Sequence, residues 1–224
     1  MKALILDSGT LINLSMNGLL YILGELKKIS NVKFLATKEV KYETVGRPLN
    51  IPRFELGALE IQSLFEQKII EFPNSLGISE IEIGKRTRDL LETANHSLQS
   101  KGQWINIVSE AEISCLALSS ILMKKGIENL IAIDERTTRI LGEEPERLEN
   151  LMASKLHRRV LLVGENYKIF AKFTFIRSTE LVYVAYKKGL LKLKDPKALE
   201  AALYATKFKG AAVSFEEINV LKKL

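Results

Sequence analysis

The chain has 224 residues, 46% hydrophobic and 27% charged, enough for a core that needs no staples and unlike the composition of a disordered segment. A single cysteine excludes a disulfide framework, and two histidines beside it leave too little for a zinc site of nitrogen and sulfur ligands, so any metal must be a hard cation held by oxygen, magnesium or manganese. Lysine plus arginine exceed aspartate plus glutamate by 33 to 27, a net charge of +6, which is a modest surplus for a nucleic-acid binder.

Lys2 to Leu6 is a short apolar run ending at Asp7, the pattern of a strand covered on both faces. The run meets an aspartate too soon for a signal peptide, and no apolar stretch reaches membrane-spanning length, so a cytoplasmic protein without membrane contact is expected. After Gly9 and Thr10, Leu11 to Leu26 carries helical spacing. Val32 to Ala36 reads as a second strand, with Thr37 as N-cap of a helix through Val40 and Glu43. Phe54 to Gln67 is helical again, Ile69 to Phe72 a short strand, and Ser79 opens a helix that can run to about Ser100.

Trp104 to Val108 is a third apolar run. Ser109 to Lys125 is a helix apolar almost all round, closed by Gly126. Leu130 to Ile133 is a further strand ending at Asp134. Beyond it, Val160–Val163 and Ile169–Phe175 flank Gly164-Glu165-Asn166 as a hairpin. Asp195-Pro196 opens a helix reaching Lys207, and Ser214 with Glu217 caps a last short one. The alternation of strands and helices predicts an α/β fold with a mainly parallel sheet, read as one domain over residues 1–224 with insertions at about 46–104 and 143–174.

Asp7 and Asp134 each follow a buried strand, at the carboxyl ends where open parallel sheets bind ligands. Either aspartate alone could simply cap a helix or form a turn. Glu43 alone reads as a solvated helix residue. Glu110 and Glu112, at the start of the apolar helix, are about 200° apart in rotation, so both cannot face one crevice. Glu112 also completes a Ser109-x-x-Glu112 capping box, a structural job of its own. Arg139 and Arg136 could pair these carboxylates or meet a phosphate.

Together these residues resemble the PIN-domain nucleases. Ile5-Leu6-Asp7-Ser8-Gly9-Thr10-Leu11-Ile12 is similar to the opening of that family, and Val40-x-x-Glu43 to its second acidic position. Ser109-Glu110-Ala111-Glu112 with Leu116-Ala117-Leu118 resembles the GEAEA segment of an archaeal and bacterial branch that includes VapC-type toxin relatives. Ile133-Asp134-Glu135-Arg136 with Arg139 resembles its DDxxAR or DExxxR segment, and Ser178-Thr179-Glu180-Leu181 with Gly189-Leu190-Leu191 its end. The likeness covers residues 1–45, 105–142 and 175–224; Ser109 replaces a usual glycine and Glu135 a frequent aspartate.

The resemblance implies a three-layer α/β/α fold and a magnesium- or manganese-dependent ribonuclease. It implies Asp7, Glu43, Glu112 and Asp134 as metal ligands and catalytic residues, with Ser8, Thr10, Glu110, Glu135 and Arg139 as secondary candidates. RNA is the expected partner, together with a small antitoxin-like protein and a homodimeric state. Basic residues Lys155 to Arg159 are candidate grips on the RNA backbone. Two other readings compete. A haloacid-dehalogenase-type phosphatase needs a second aspartate where Gly9 stands. A non-cleaving RNA-binding or scaffolding module could keep the same fold.

Overall fold

The computed structural model describes residues 2–224. The first run forms β1 (Lys2–Leu6), and Asp7 caps α1 (Ser8–Met16). The predicted helix from Leu11 to Leu26 is interrupted, because Gly18 takes a left-handed φ of 63° and the backbone bonds Gly18 N to Ser15 O and Leu19 N to Leu14 O close a Schellman-type end. The chain resumes in α2 (Tyr21–Ile29) and enters β2 (Val32–Leu35). Thr37 caps α3 (Lys38–Lys41), which continues as a π-helical turn over Tyr42–Gly46. Then come α4 (Pro52–Glu66), β3 (Ile70–Glu71) and α5 (Glu80–Asn95).

The helix expected to reach Ser100 stops five residues earlier, and Leu98–Ser100 becomes β4, paired antiparallel with β5 (Gln103–Trp104). The third apolar run therefore does not join the parallel sheet. Its apolar residues alternate, with Ile105 and Ile107 buried and Trp104 exposed, so only one side of it meets the core. Next are α6 (Glu110–Lys124), β6 (Glu128–Ala132), α7 (Arg136–Glu143) and α8 (Leu148–Leu156).

The predicted hairpin around Gly164 is not formed. β7 (Leu161–Leu162) pairs with β4, whereas residues Asn166–Lys172 coil into a 3-10 helix that buries Tyr167 and Phe170. β8 (Phe175–Ile176) then joins β6 in parallel. Gly142 of α7 permits this, since a Cβ there would lie 2.5 Å from the Phe175 ring and 3.1 Å from Phe170 O. The chain ends in α9 (Ser178–Lys187), α10 (Ala198–Phe208) and α11 (Phe215–Leu221). Asp195 precedes α10 by a turn rather than capping it directly, its Oδ1 accepting from Lys197 N at 2.7 Å.

The central sheet is parallel throughout, in the order β3-β2-β1-β6-β8. Ala3, Leu4, Ile5 and Leu6 are all buried, so both faces of β1 are covered. Right-handed crossovers place the connections on opposite faces when the chain reverses its direction across the sheet. The packing agrees: α1 meets α4 and α9, α2 meets α9, while α6 packs on β1, β6 and α5. This is compatible with a helix–sheet–helix sandwich. The reversal falls between β1 and β6, and the carboxyl ends of strands at such a switch point are where open parallel sheets bind ligands. No helix is long and apolar enough to cross a membrane, among the described residues.

Candidate acidic site

Asp7 leaves the end of β1 almost fully buried. Its Oδ2 accepts from Gly9 N at 3.0 Å, while Oδ1 is buried with no hydrogen-bond partner. Gly9 keeps the first turn of α1 close to both aspartates, for a Cβ there would be 3.2 Å from Asp7 Oδ2 and 4.0 Å from Asp134 Cβ.

Glu43 comes from the π-helical turn, a distortion that re-aims side chains and recurs at functional sites. Ser8 Oγ donates to Glu43 Oε2 at 2.7 Å, tying this turn to the residue after Asp7. Glu112 enters from the first turn of α6. The expected capping box is formed: Glu112 N donates to Ser109 Oγ at 3.2 Å and Ser109 N to Glu112 Oε2 at 3.4 Å. Thr138 Oγ1 of α7 donates to the same oxygen. The capping duty and Thr138 thus occupy Oε2 and fix the side chain without using Oε1.

These carboxylates feel one another. Burial, with the Glu112 and Glu43 charges added, pushes Asp7 up to about 8 against the opposing Gly9 and Ser8 amides. Burial also raises Glu112, partly offset by the Thr138 and Ser109 hydrogen bonds. Cys115 lies beneath the end of β1, its Sγ 3.9 Å from Leu6 O. Burial and the charges of Asp7, Glu112 and Glu39 hold its thiol well above the usual range, which leaves it inert.

Asp134 occupies the neighbouring strand end but is differently employed. Oδ1 accepts from Ser178 N at 2.8 Å and Oδ2 from Asn13 Nδ2 at 3.0 Å, while its carbonyl accepts from Ala212 N at 3.2 Å. Burial raises its pKa, and the Ser178 and Asn13 bonds counteract this. Asp134 therefore staples α1, the start of α9 and the 210–213 segment, with both oxygens engaged by protein donors.

Among the secondary candidates, Thr10 is fully buried beside the site with Oγ1 unpartnered. Glu110 is exposed, as the rotation between it and Glu112 requires. Glu135 caps α7 by accepting from Thr138 N at 2.9 Å, and Arg139 pairs with Glu143 at 2.9 Å. Glu135 shares Thr138 with Glu112 and its charge adds to the rise of the Glu112 pKa, whereas Arg139 is engaged by Glu143. Sequence reasoning passed over Glu39, whose Oε2 is buried without a partner. The signal was present: Glu39 precedes Glu43 by four residues, one helical turn. It likewise passed over Arg177, buried between Glu180 (2.5 Å) and Glu217 (2.7 Å), which anchors α11 to α9.

No family model, no curated protein and no solved structure matches this chain. The site is thus judged by its donors. They are hard oxygens, several are buried, and Asp7 Oδ1 faces no protein partner, which suits a divalent cation. Among the described residues no three His, Cys, Asp or Glu side chains are grouped closely enough to enclose a metal by themselves. A cation such as magnesium, which retains several waters and takes only one or two carboxylates, is the kind this arrangement fits.

Proposed function

We propose that the protein is a metal-dependent endoribonuclease with a PIN-like fold, its acidic site built by Asp7, Glu43 and Glu112 and framed by Asp134. The observation that carries this reading is the buried Asp7 carboxylate at the β1–β6 switch point, one oxygen unpartnered and two further carboxylates raising its pKa. Such a cluster is costly unless a proton or a cation neutralises it.

Asp7 and the free edge of Glu112 would hold the cation, with Glu43 placed by Ser8 to take one of its waters. When bound, magnesium or manganese lowers the pKa of a coordinated water and takes up charge on a scissile phosphate. Thr138 keeps Glu112 from rotating away, and Asp134 fixes the second half of α1 through Asn13. The net charge of +6 favours approach of a polyanion.

Cleavage of labelled RNA with manganese at several salt concentrations tests the proposal. Product that disappears with chelator and in Asp7→Asn is expected. Product equal in the two proteins would sink it. The loose spacing of the carboxylates favours a second reading, a non-cleaving RNA-binding module. Salt-sensitive binding without product under any metal would select that one.

The paired glutamates separate by their geometry. Glu112→Gln keeps a side chain able to cap and removes a carboxylate whose pKa burial raises, so the metal-free melting temperature at neutral pH should hold or rise while manganese affinity falls about tenfold or more. Glu110→Gln should change neither, since that side chain points to solvent. Manganese calorimetry on both variants decides; a loss confined to Glu110→Gln would reverse the assignment.

A further inference from the structure

The small antiparallel sheet β5-β4-β7 has a face that the acidic site does not use. Gln99 is paired with Trp104 on one side and with Leu161 on the other, so the three side chains lie abreast. Trp104 and Leu161 are each 44% exposed, although their neighbours Ile105 and Val160 are buried. The antiparallel register, continued two residues beyond β7, sets Arg159 across from Lys101 of the β4–β5 turn, and Ser100 Oγ holds the chain there by donating to Arg159 O at 2.8 Å. Lys101, Arg158 and Arg159 are exposed and form no salt bridge among the described residues. His96 packs edge-on against the indole at 5.0 Å, steadying it on one side.

We propose that this face is a stacking platform for single-stranded RNA, with Trp104 receiving a base and Lys101 and Arg159 the flanking phosphates. An exposed aromatic on an antiparallel sheet rimmed by unpaired cations offers the two things an unpaired strand needs, a π-face and backbone charge. A protein partner could use the tryptophan equally well, but would have to bring its own carboxylates to the two cations, whereas every nucleotide of a strand carries a phosphate. The platform is also connected to the acidic site. Lys155, at the end of α8 just before the two arginines, bonds Thr137 Oγ1 at 2.7 Å and lies 3.4 Å from Glu135, the residue after Asp134. A strand held on the sheet is thereby led towards the carboxylates, so this inference deepens the nuclease reading while binding alone can be tested without it.

Trp104 is the chain's single tryptophan, which makes its emission a direct reporter. The probes are a short oligouridylate and the matching RNA duplex, titrated in chelator so that nothing is cut. Saturable quenching by the single strand, weaker for the duplex and weakened by salt, is expected. Anisotropy of the labelled oligonucleotide should show Trp104→Ala binding about tenfold more weakly, Trp104→Phe recovering most of the loss, and Arg159→Glu losing affinity together with part of the salt slope. Melting temperatures of the variants close to wild type exclude misfolding, as the substituted side chains are exposed. Binding that leaves Trp104 emission unchanged, or that Trp104→Ala retains in full, overturns the platform. So does an oligomer of the chain that Trp104→Ala dissociates while RNA affinity stays the same. Failure to cleave with manganese, with these binding results intact, counts against the nuclease reading alone.

Discussion

The metal-free protein should lose stability as the pH rises from about 4 to about 8, and Asp7→Asn should abolish most of that loss. Asp7 titrates near 3.8 when unfolded and is pushed up to about 8 in the fold. A pKa raised on folding contributes stability that is complete below the unfolded value and disappears as the pH climbs to the folded one. Every tenfold gain in proton affinity on folding corresponds to about 1.4 kcal/mol, so the total is on the order of several kcal/mol. Glu112 and Asp134, also raised, act in the same direction. Glu180 is held low by Arg177 despite burial, and Glu71 is held to about 2 by Lys33 and Lys27 despite burial. These two act oppositely, and only as the pH falls towards their own lowered values. Urea midpoints from pH 5 to 8 check the prediction. Asparagine can still accept from Gly9 N, so the variant should be the more stable protein at neutral pH without metal. Parallel pH profiles for the two proteins would contradict it.

Asp134→Asn should do the reverse. Its carboxylate accepts from two buried donors, Ser178 N and Asn13 Nδ2. An amide can satisfy one of them and must oppose the other with a donor of its own. A buried donor left unpaired costs roughly 1–3 kcal/mol, and with the displacement of Asn13 from Thr206 O a loss of about 2–4 kcal/mol is expected. Thermal melts of the two aspartate variants should therefore move in opposite directions. A fall for both would show that Asp7, too, has a mainly structural role. The pair matters because both substitutions are expected to abolish cleavage, yet only one would do so without disturbing the fold.

The central sheet was legible because β1, β2 and β6 are short apolar runs ending at polar residues, which is how strands buried on both faces read. The capping boxes at Ser109 and Ser214 were legible for a similar reason, since their spacing is local. What escaped depended on distant partners. Residues 160–175 look like a hairpin in isolation, but Leu161 and Leu162 find their partners in β4 and Phe175 finds its own in β6. Trp104 was read by its apolarity, which cannot tell a buried strand from one with an exposed face. The two aspartates carried equal weight in the sequence. Only the position of Ser178, 44 residues after Asp134, shows that one of them is saturated by protein donors.

The most direct test of the acidic site is the proton balance of manganese binding. At pH near 7, an Asp7 with a pKa of about 8 is mostly protonated, and coordination requires the carboxylate. Calorimetric titrations in two buffers of different ionisation enthalpy should report release of about one proton or somewhat more per manganese bound, decreasing as the pH passes 8. In Asp7→Asn both the proton release and most of the affinity should be lost. Tight manganese binding with no proton release near pH 7, or with the same release in Asp7→Asn, would contradict the placing of the cation on Asp7.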